Sequence, residues 1–273
     1  MVFDRPKYKQ FALQQLNGRW KTAVLGTLIC LAIGMVFSIP ESQFSYSYED
    51  LQNLAGMSLE QMMEYFGMTR TTAVLQFLFS VISQLVSFII NIALAHLWLV
   101  YSRSPDPVSL KVLFEGFNKW GRGILAGLWQ LLWLIIWGLL CCVIFIAVAF
   151  PFAFIIKSSE AFISISPLLF IICCIPLLIK SIEYSHLFYL VAEFPELGIR
   201  KALTISKLIT KGHRMEIFIT YLTFIGWVIV GIVTFFIGFL WISPYLNMTY
   251  INIYHALLKD ALETGKVLPE DLN

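Results

Sequence analysis

Apolar residues run through this chain in blocks of about 20, the length needed to cross a hydrocarbon core of about 30 Å. The blocks are Trp20 to Ile39, about Thr72 to Tyr101, one starting near Gly123, one ending near Ala192, about Met215 to Thr234, and about Gly238 to Leu258. The last two meet through Phe235-Phe236-Ile237-Gly238, with almost no polar loop. A single helix over 215–258 would be about 66 Å long, roughly twice the bilayer, so a turn is expected there. The predicted fold is all-α: a polytopic transmembrane bundle of six spans in three hairpins, about 5–101, 102–192 and 193–259. Residues 260–273 form a cytoplasmic tail, and 1–273 is read as one integral-membrane domain.

A second pattern precedes each hairpin. KYKQFALQQLNGRW (7–20), SLKVLFEGFNKWGRG (109–123) and IRKALTISKLITKGHR (199–214) each join an amphipathic basic stretch to a Gly with an Arg nearby. Val112, Leu113, Phe117 and Trp120 fall on one helical face, as do Leu203, Leu208 and Ile209 with Ile199 and Ala202. Such helices are expected to lie in the headgroup plane, apolar side down. The Gly permits a sharp bend into the bilayer. The layout reads as a threefold parallel repeat of the kind found in some transporters. The alternative is that any hairpin entering from the cytoplasm acquires basic, amphipathic flanks.

The middle hairpin is too long. Its limbs, 123–156 and 163–192, would measure about 51 and 45 Å as straight helices. Pro151, Pro167 and Pro176 offer kinks. The surplus, AVAFPFAFII and FISISPLLF, is expected to bend along the outer interface, to re-enter, or to pack under segment 40–71. There Leu51, Leu54, Leu59, Met62, Met63 and Phe66 could form an apolar helical face.

Composition agrees with a membrane protein: 59% hydrophobic and 13% charged residues, where a soluble domain carries nearer a quarter charged. The net charge of +2 says little, but its distribution says much. Arg5, Lys7, Lys9, Arg19 and Lys21, then Arg103, Lys111, Lys119 and Arg122, then Arg200, Lys201, Lys207, Lys211 and Arg214, and finally Lys259 and Lys266 lie on the side of the two termini. They are sixteen of the 19 Lys and Arg. The positive-inside rule then places both termini in the cytoplasm. Segment 40–71 is acidic, with Glu41, Glu49, Asp50, Glu60 and Glu64. The basic face is expected to attract anionic lipid headgroups. Nucleic acid is not an expected partner, because the charges hug the spans and form no separate domain. A membrane-protein partner or a second copy of the chain is the other partner class considered. No cleavable signal peptide is read at the first block, which is expected to stay as an anchor.

Lys180, Glu183 and His186 fall in the fourth span, and Lys180 and Glu183 are spaced to pair. Intramembrane ionisable groups often mark ion or substrate paths. The plainer reading is a self-neutralised pair. The pairs Cys141-Cys142 and Cys173-Cys174 should land at equal depth, with one Cys per helix facing the partner. A thiol metal site or a redox disulfide is thinkable, but small-residue packing is the expected role. Asn91 and His96, and Tyr245, Asn247, Tyr250, Asn252 and Tyr254, give polar faces suited to interhelical hydrogen bonds. No Walker loop, Rossmann fingerprint, HExxH or nucleophile elbow is present, so the chain is read as non-catalytic, with no cofactor.

AEFPELGIRKALTISKLITKGHRMEIF (192–218), FIGW (224–227), Thr234 with Ile237-Gly238, and SPYLNMTYINIYHAL (243–257) resemble a bacterial integral-membrane family designated domain of unknown function 975. Asn17-Gly18-Arg19-Trp20 and Leu113-Phe114-Glu115-Gly116-Phe117 fit its earlier pattern more loosely. Two departures stand out. Ile175-Pro176-Leu177 lacks the Gly of the family's Ile-Pro-Gly turn, and Phe236 replaces the first Gly of its Gly-Ile-Gly. The resemblance implies a multi-span bacterial membrane protein and carries over no catalytic residues. The function expected is that of a non-catalytic accessory or scaffold component of the bacterial plasma membrane. The alternative is a small transporter with a polar path near Lys180, Glu183 and His186.

Overall fold

The computed structural model describes residues 3–42, 57–58, 61, 70–155 and 159–272, and every regular element among them is helical. The expected apolar face of Leu51, Leu54, Leu59, Met62, Met63 and Phe66 lies outside the described residues. The helices are α1 (Arg5–Leu16), α2 (Trp20–Ser42), α3 (Arg70–Arg103), α4 (Lys111–Phe117), α5 (Trp120–Ile155) and α6 (Ser159–Cys173). They continue as α7 (Ile175–Tyr184), α8 (Leu187–Glu193), α9 (Ile199–Thr210), α10 (Arg214–Leu222), α11 (Ile225–Val233) and α12 (Phe239–Glu263).

Five stretches are long and apolar enough to cross a membrane: Trp20–Phe37, Thr71–Arg103, Trp120–Phe152, Ser164–Glu193 and Arg214–Val233. The sixth predicted span exists as α12, but it is not one of the five. It carries Asn247, Tyr250, Asn252, Tyr254 and His255, and from Met248 to Tyr254 every residue is buried. Asn252, Tyr254 and His255 meet partners on other helices, so this helix does not need the apolarity of a lipid-facing one.

Two of the three expected glycine bends are present. Gly18 (φ 74°) turns α1 into α2, and Gly212 (φ 95°) turns α9 into α10. Such angles suit a residue without Cβ. In the middle unit Gly121 lies inside α5, and the turn is made at Asn118 and Lys119 instead. The turn after α11 is also present, with Phe235 at φ 50° and Phe236 at φ 68°. The Phe236 N–H bonds back to Gly231 O at 2.9 Å and closes the helix end.

The three short basic helices bury apolar residues against other helices. The α9 face of Ala202, Leu203, Ile205 and Ile209 is buried against α5, α7, α8 and α12. In α4, Leu113 and Gly116 are buried against α3, where a Cβ on Gly116 would lie 2.7 Å from Ala93 Cα. A face that looks membrane-seeking in sequence is here a packing face, because both partners offer the same apolar chemistry.

The packing closes a ring. The helix leading each unit lies on the closing limb of another: α4 on α3, α9 on α7 and α8, and α1 on α12. Around this base sits the core, with Leu97, Trp98, Tyr101, Leu113, Leu190 and Tyr254 among its fully buried members.

The overlong hairpin has one continuous and one broken limb among its described residues. α5 runs unbroken through Pro151 to Ile155, 36 residues or about 54 Å. On the return limb, Cys174 separates α6 from α7, which has Pro176 in its first turn, and a second turn at Ser185 and His186 opens α8. The foot of α5 is held against α3. A Cβ on Gly123 would meet Ile92 at 2.5 Å, and one on Gly127 would meet the Phe88 ring at 2.1 Å. Part of the surplus length therefore lies in the packed base. Phe145 and Phe170 cross edge to face at 5.3 Å and fix the hairpin register. Cys141 and Cys173 are buried while Cys142 is exposed, and all the cysteines are free thiols.

Candidate functional site

Glu183 lies near the end of α7, with its side chain 2% exposed. Its carboxylate accepts from Lys180 Nζ at 2.9 Å and from the Arg214 guanidinium at 2.8 Å. Ser206 Oγ donates to its backbone carbonyl at 2.7 Å. The i, i+3 pairing of Lys180 and Glu183 follows from helix geometry. Arg214 comes from the first residue of α10 and could not be found by spacing. The carboxylate thus has a cation on each oxygen, one from its own helix and one from α10.

A ladder of aromatic faces flanks this cluster. Trp129, Trp133 and Trp137 recur every four residues on α5, and each carries a cation. Arg200 lies 4.9 Å from the Trp129 ring, Lys207 5.1 Å from Trp133, and Lys180 4.8 Å from Trp137. Lys207 also lies 5.3 Å from the Tyr184 ring. These distances are in the range where the ring quadrupole attracts a cation.

His186 is separate from this cluster. It is 1% exposed, and its ring lies near Tyr189 and Tyr254, with neither nitrogen hydrogen-bonded. It lines a cavity of about 200 Å³ with Asn91, Trp98, Tyr189, Asn247 and Tyr250. The structure thus joins two of the three residues singled out in sequence and places the third elsewhere.

At the base, α1, α3 and α12 enclose a cleft of about 540 Å³ lined by Lys7, Gln14, Gln15, Ser102, Arg103 and His255. Asn252 donates to Gln15 at 2.8 Å, and Gln15 donates to Ser102 O at 3.1 Å. Ser102 Oγ lies 3.0 Å from His255 Nε2 but donates to Leu99 O at 2.8 Å. Beside the cleft, Glu193 is bonded by Arg103 and accepts from Tyr254 OH at 2.5 Å. Glu193 escaped the sequence reading because it falls just past an apolar block.

Several basic residues counted toward the charged face are used internally. Arg19 donates to the carbonyls of Gln15 and Ser104. Arg122 donates to those of Phe194 and Leu197, and Lys119 to that of Ala192 at 2.8 Å. Of the polar faces, Asn252 and Tyr254 bond across helices, whereas Asn91 and Asn247 bond back to Ser87 and Ser243 of their own helices.

The model of a family described as protein of unknown function (DUF975) matches residues 1–261. The chain belongs to the DUF975 family. No curated protein and no solved structure matches it. The family description names no activity, so the DUF975 chain is interpreted from its own geometry. No group of three or more His, Cys, Asp or Glu among its described residues is arranged to hold a metal ion.

Proposed function

We propose that this DUF975 protein is a non-catalytic, multi-pass accessory or scaffold component of the bacterial plasma membrane, with both termini in the cytoplasm. Three hairpins enter from that side, and the base is the working surface. The observation that supports this reading is the state of Glu183. The buried acid in the long apolar helices is engaged by Lys180 and Arg214, and so serves packing better than transfer. The base, by contrast, presents a polar cleft large enough for a side chain or segment of a partner.

Flux assays test this. Vesicles holding the purified protein should stay tight to protons, sodium and potassium, and cross-linking from the base in native membranes should trap a partner or a second copy. The His186 cavity favours a transport reading instead, since it is partly open and partly polar. An ion flux that His186→Phe abolishes would overturn the accessory role in favour of transport.

A further inference from the structure

We propose that the cation ladder on Trp129, Trp133 and Trp137 is a specific site for the phosphate of an anionic phospholipid in the cytoplasmic leaflet. The inference rests on the reading that the basic face meets that leaflet, and goes beyond it by naming one site.

Charge is the first argument. Arg200, Lys207 and Lys180 line up along one face of α5, and the carboxylate at that cluster, Glu183, is already engaged by Lys180 and Arg214. Neither Arg200 nor Lys207 forms a salt bridge among the described residues, although Glu183 is near enough to Lys207 to act on its charge. The cluster therefore carries uncompensated positive charge.

Position is the second. Lys207 is held over two rings, Trp133 and Tyr184, so its ammonium is partly desolvated and directed. Burial first, and the nearby Lys180 second, hold its pKa below the ordinary lysine value, with Glu183 opposing. Two ammonium groups close together repel, and an oxyanion between them would turn that repulsion into attraction.

The third argument selects a lipid over free phosphate. Tryptophan is the side chain most at home at a headgroup boundary. The ladder spans about 12 Å along α5. Beyond Trp137 the same face of the helix presents Leu140 and Val148 to its surroundings, 44% and 38% exposed. A lipid with its phosphate on the ladder would lay its acyl chains along these residues.

Native mass spectrometry of the full chain tests the site, by titration with phosphatidylglycerol or phosphatidylcholine. The wild type should bind phosphatidylglycerol saturably and at least tenfold more tightly than phosphatidylcholine. Arg200→Gln with Lys207→Gln should weaken phosphatidylglycerol about tenfold. Lys201→Gln with Lys211→Gln, at exposed positions of the same segment, should change it less than twofold. If the double variant folds poorly, Lys207→Gln alone should still weaken binding several-fold. Equal weakening by both pairs would overturn the site while leaving a diffusely basic face intact. Equal binding of the two lipids by the wild type would overturn that face reading as well. Displacement of the lipid by millimolar inorganic phosphate would show a free-phosphate site and overturn the lipid assignment.

Discussion

Gly127 lies so close to the Phe88 ring that one added methyl would sit 2.1 Å from it. With Gly123 one turn earlier on Ile92, this glycine seam sets the foot of α5 on α3. Gly127→Ala should lower the melting temperature of the detergent-solubilised protein, at a cost of about 1–3 kcal/mol, the usual range for overpacking. Adding Phe88→Ala should restore part of the loss. No loss in the single variant would show that the seam is not close-packed.

Glu183 gives a second test. Glu183→Gln leaves Lys180 and Arg214 without their counter-charge and should lower folded yield, as breaking a buried pair does. Removing only Lys180 and Glu183 would still strand Arg214. The triple change of Lys180, Glu183 and Arg214 to Met should therefore recover more yield than Lys180→Met with Glu183→Met. Size-exclusion profiles rank the variants, and equal profiles would mean that the cluster contributes nothing.

Phe236 holds φ 68° where the resembled family pattern has Gly. The left-handed region costs a side-chain-bearing residue about 1–2 kcal/mol. Phe236→Gly should raise the melting temperature by a few degrees, although it gives up the stacking contact with Phe239. A fall would mean that this contact outweighs the backbone strain.

Lys119 sets a pH dependence. Burial first, and Arg122 second, lower its pKa below the ordinary lysine value of 10.5. The folded state therefore binds fewer protons than the unfolded chain between the lowered value and 10.5. Stability from this group should rise with pH across that window and level off above it. Lys119→Met should remove that rise in melts from pH 8 to 11. It should also cost about 1–3 kcal/mol by leaving Ala192 O without its donor.

Orientation is checked from outside. A single Cys at position 47 should react with an impermeant reagent on intact cells. Reaction only after the membrane is broken would reverse the assignment of the termini.

Much of the local structure was legible in sequence. The α11–α12 turn followed from a length no bilayer could hold, and Gly18 and Gly212 marked bends that only glycine makes easily. Lys180 and Glu183 were readable as a pair because their contact spans one helical turn. What escaped was long-range. Arg214 reaches Glu183 across 31 positions, and no periodicity reports such a contact. Arg19, Lys119 and Arg122 counted as surface charge because composition cannot tell a cation facing a lipid from one capping a carbonyl. The α9 stripe predicted a helix correctly but could not say whether lipid or protein would cover it. Gly123 and Gly127 were a missed signal: their spacing was in plain view.

The seating of α1 on α12 has a consequence for biogenesis. α1 has its resting place on a helix that is made long after it. Ala12 and Leu16 must wait without that cover while the intervening helices are made. This contact can then close only after α12 has been made, and a chain cut short before Phe239 keeps α1 undocked. The contact thus distinguishes a copy that has received α12 from one that has not.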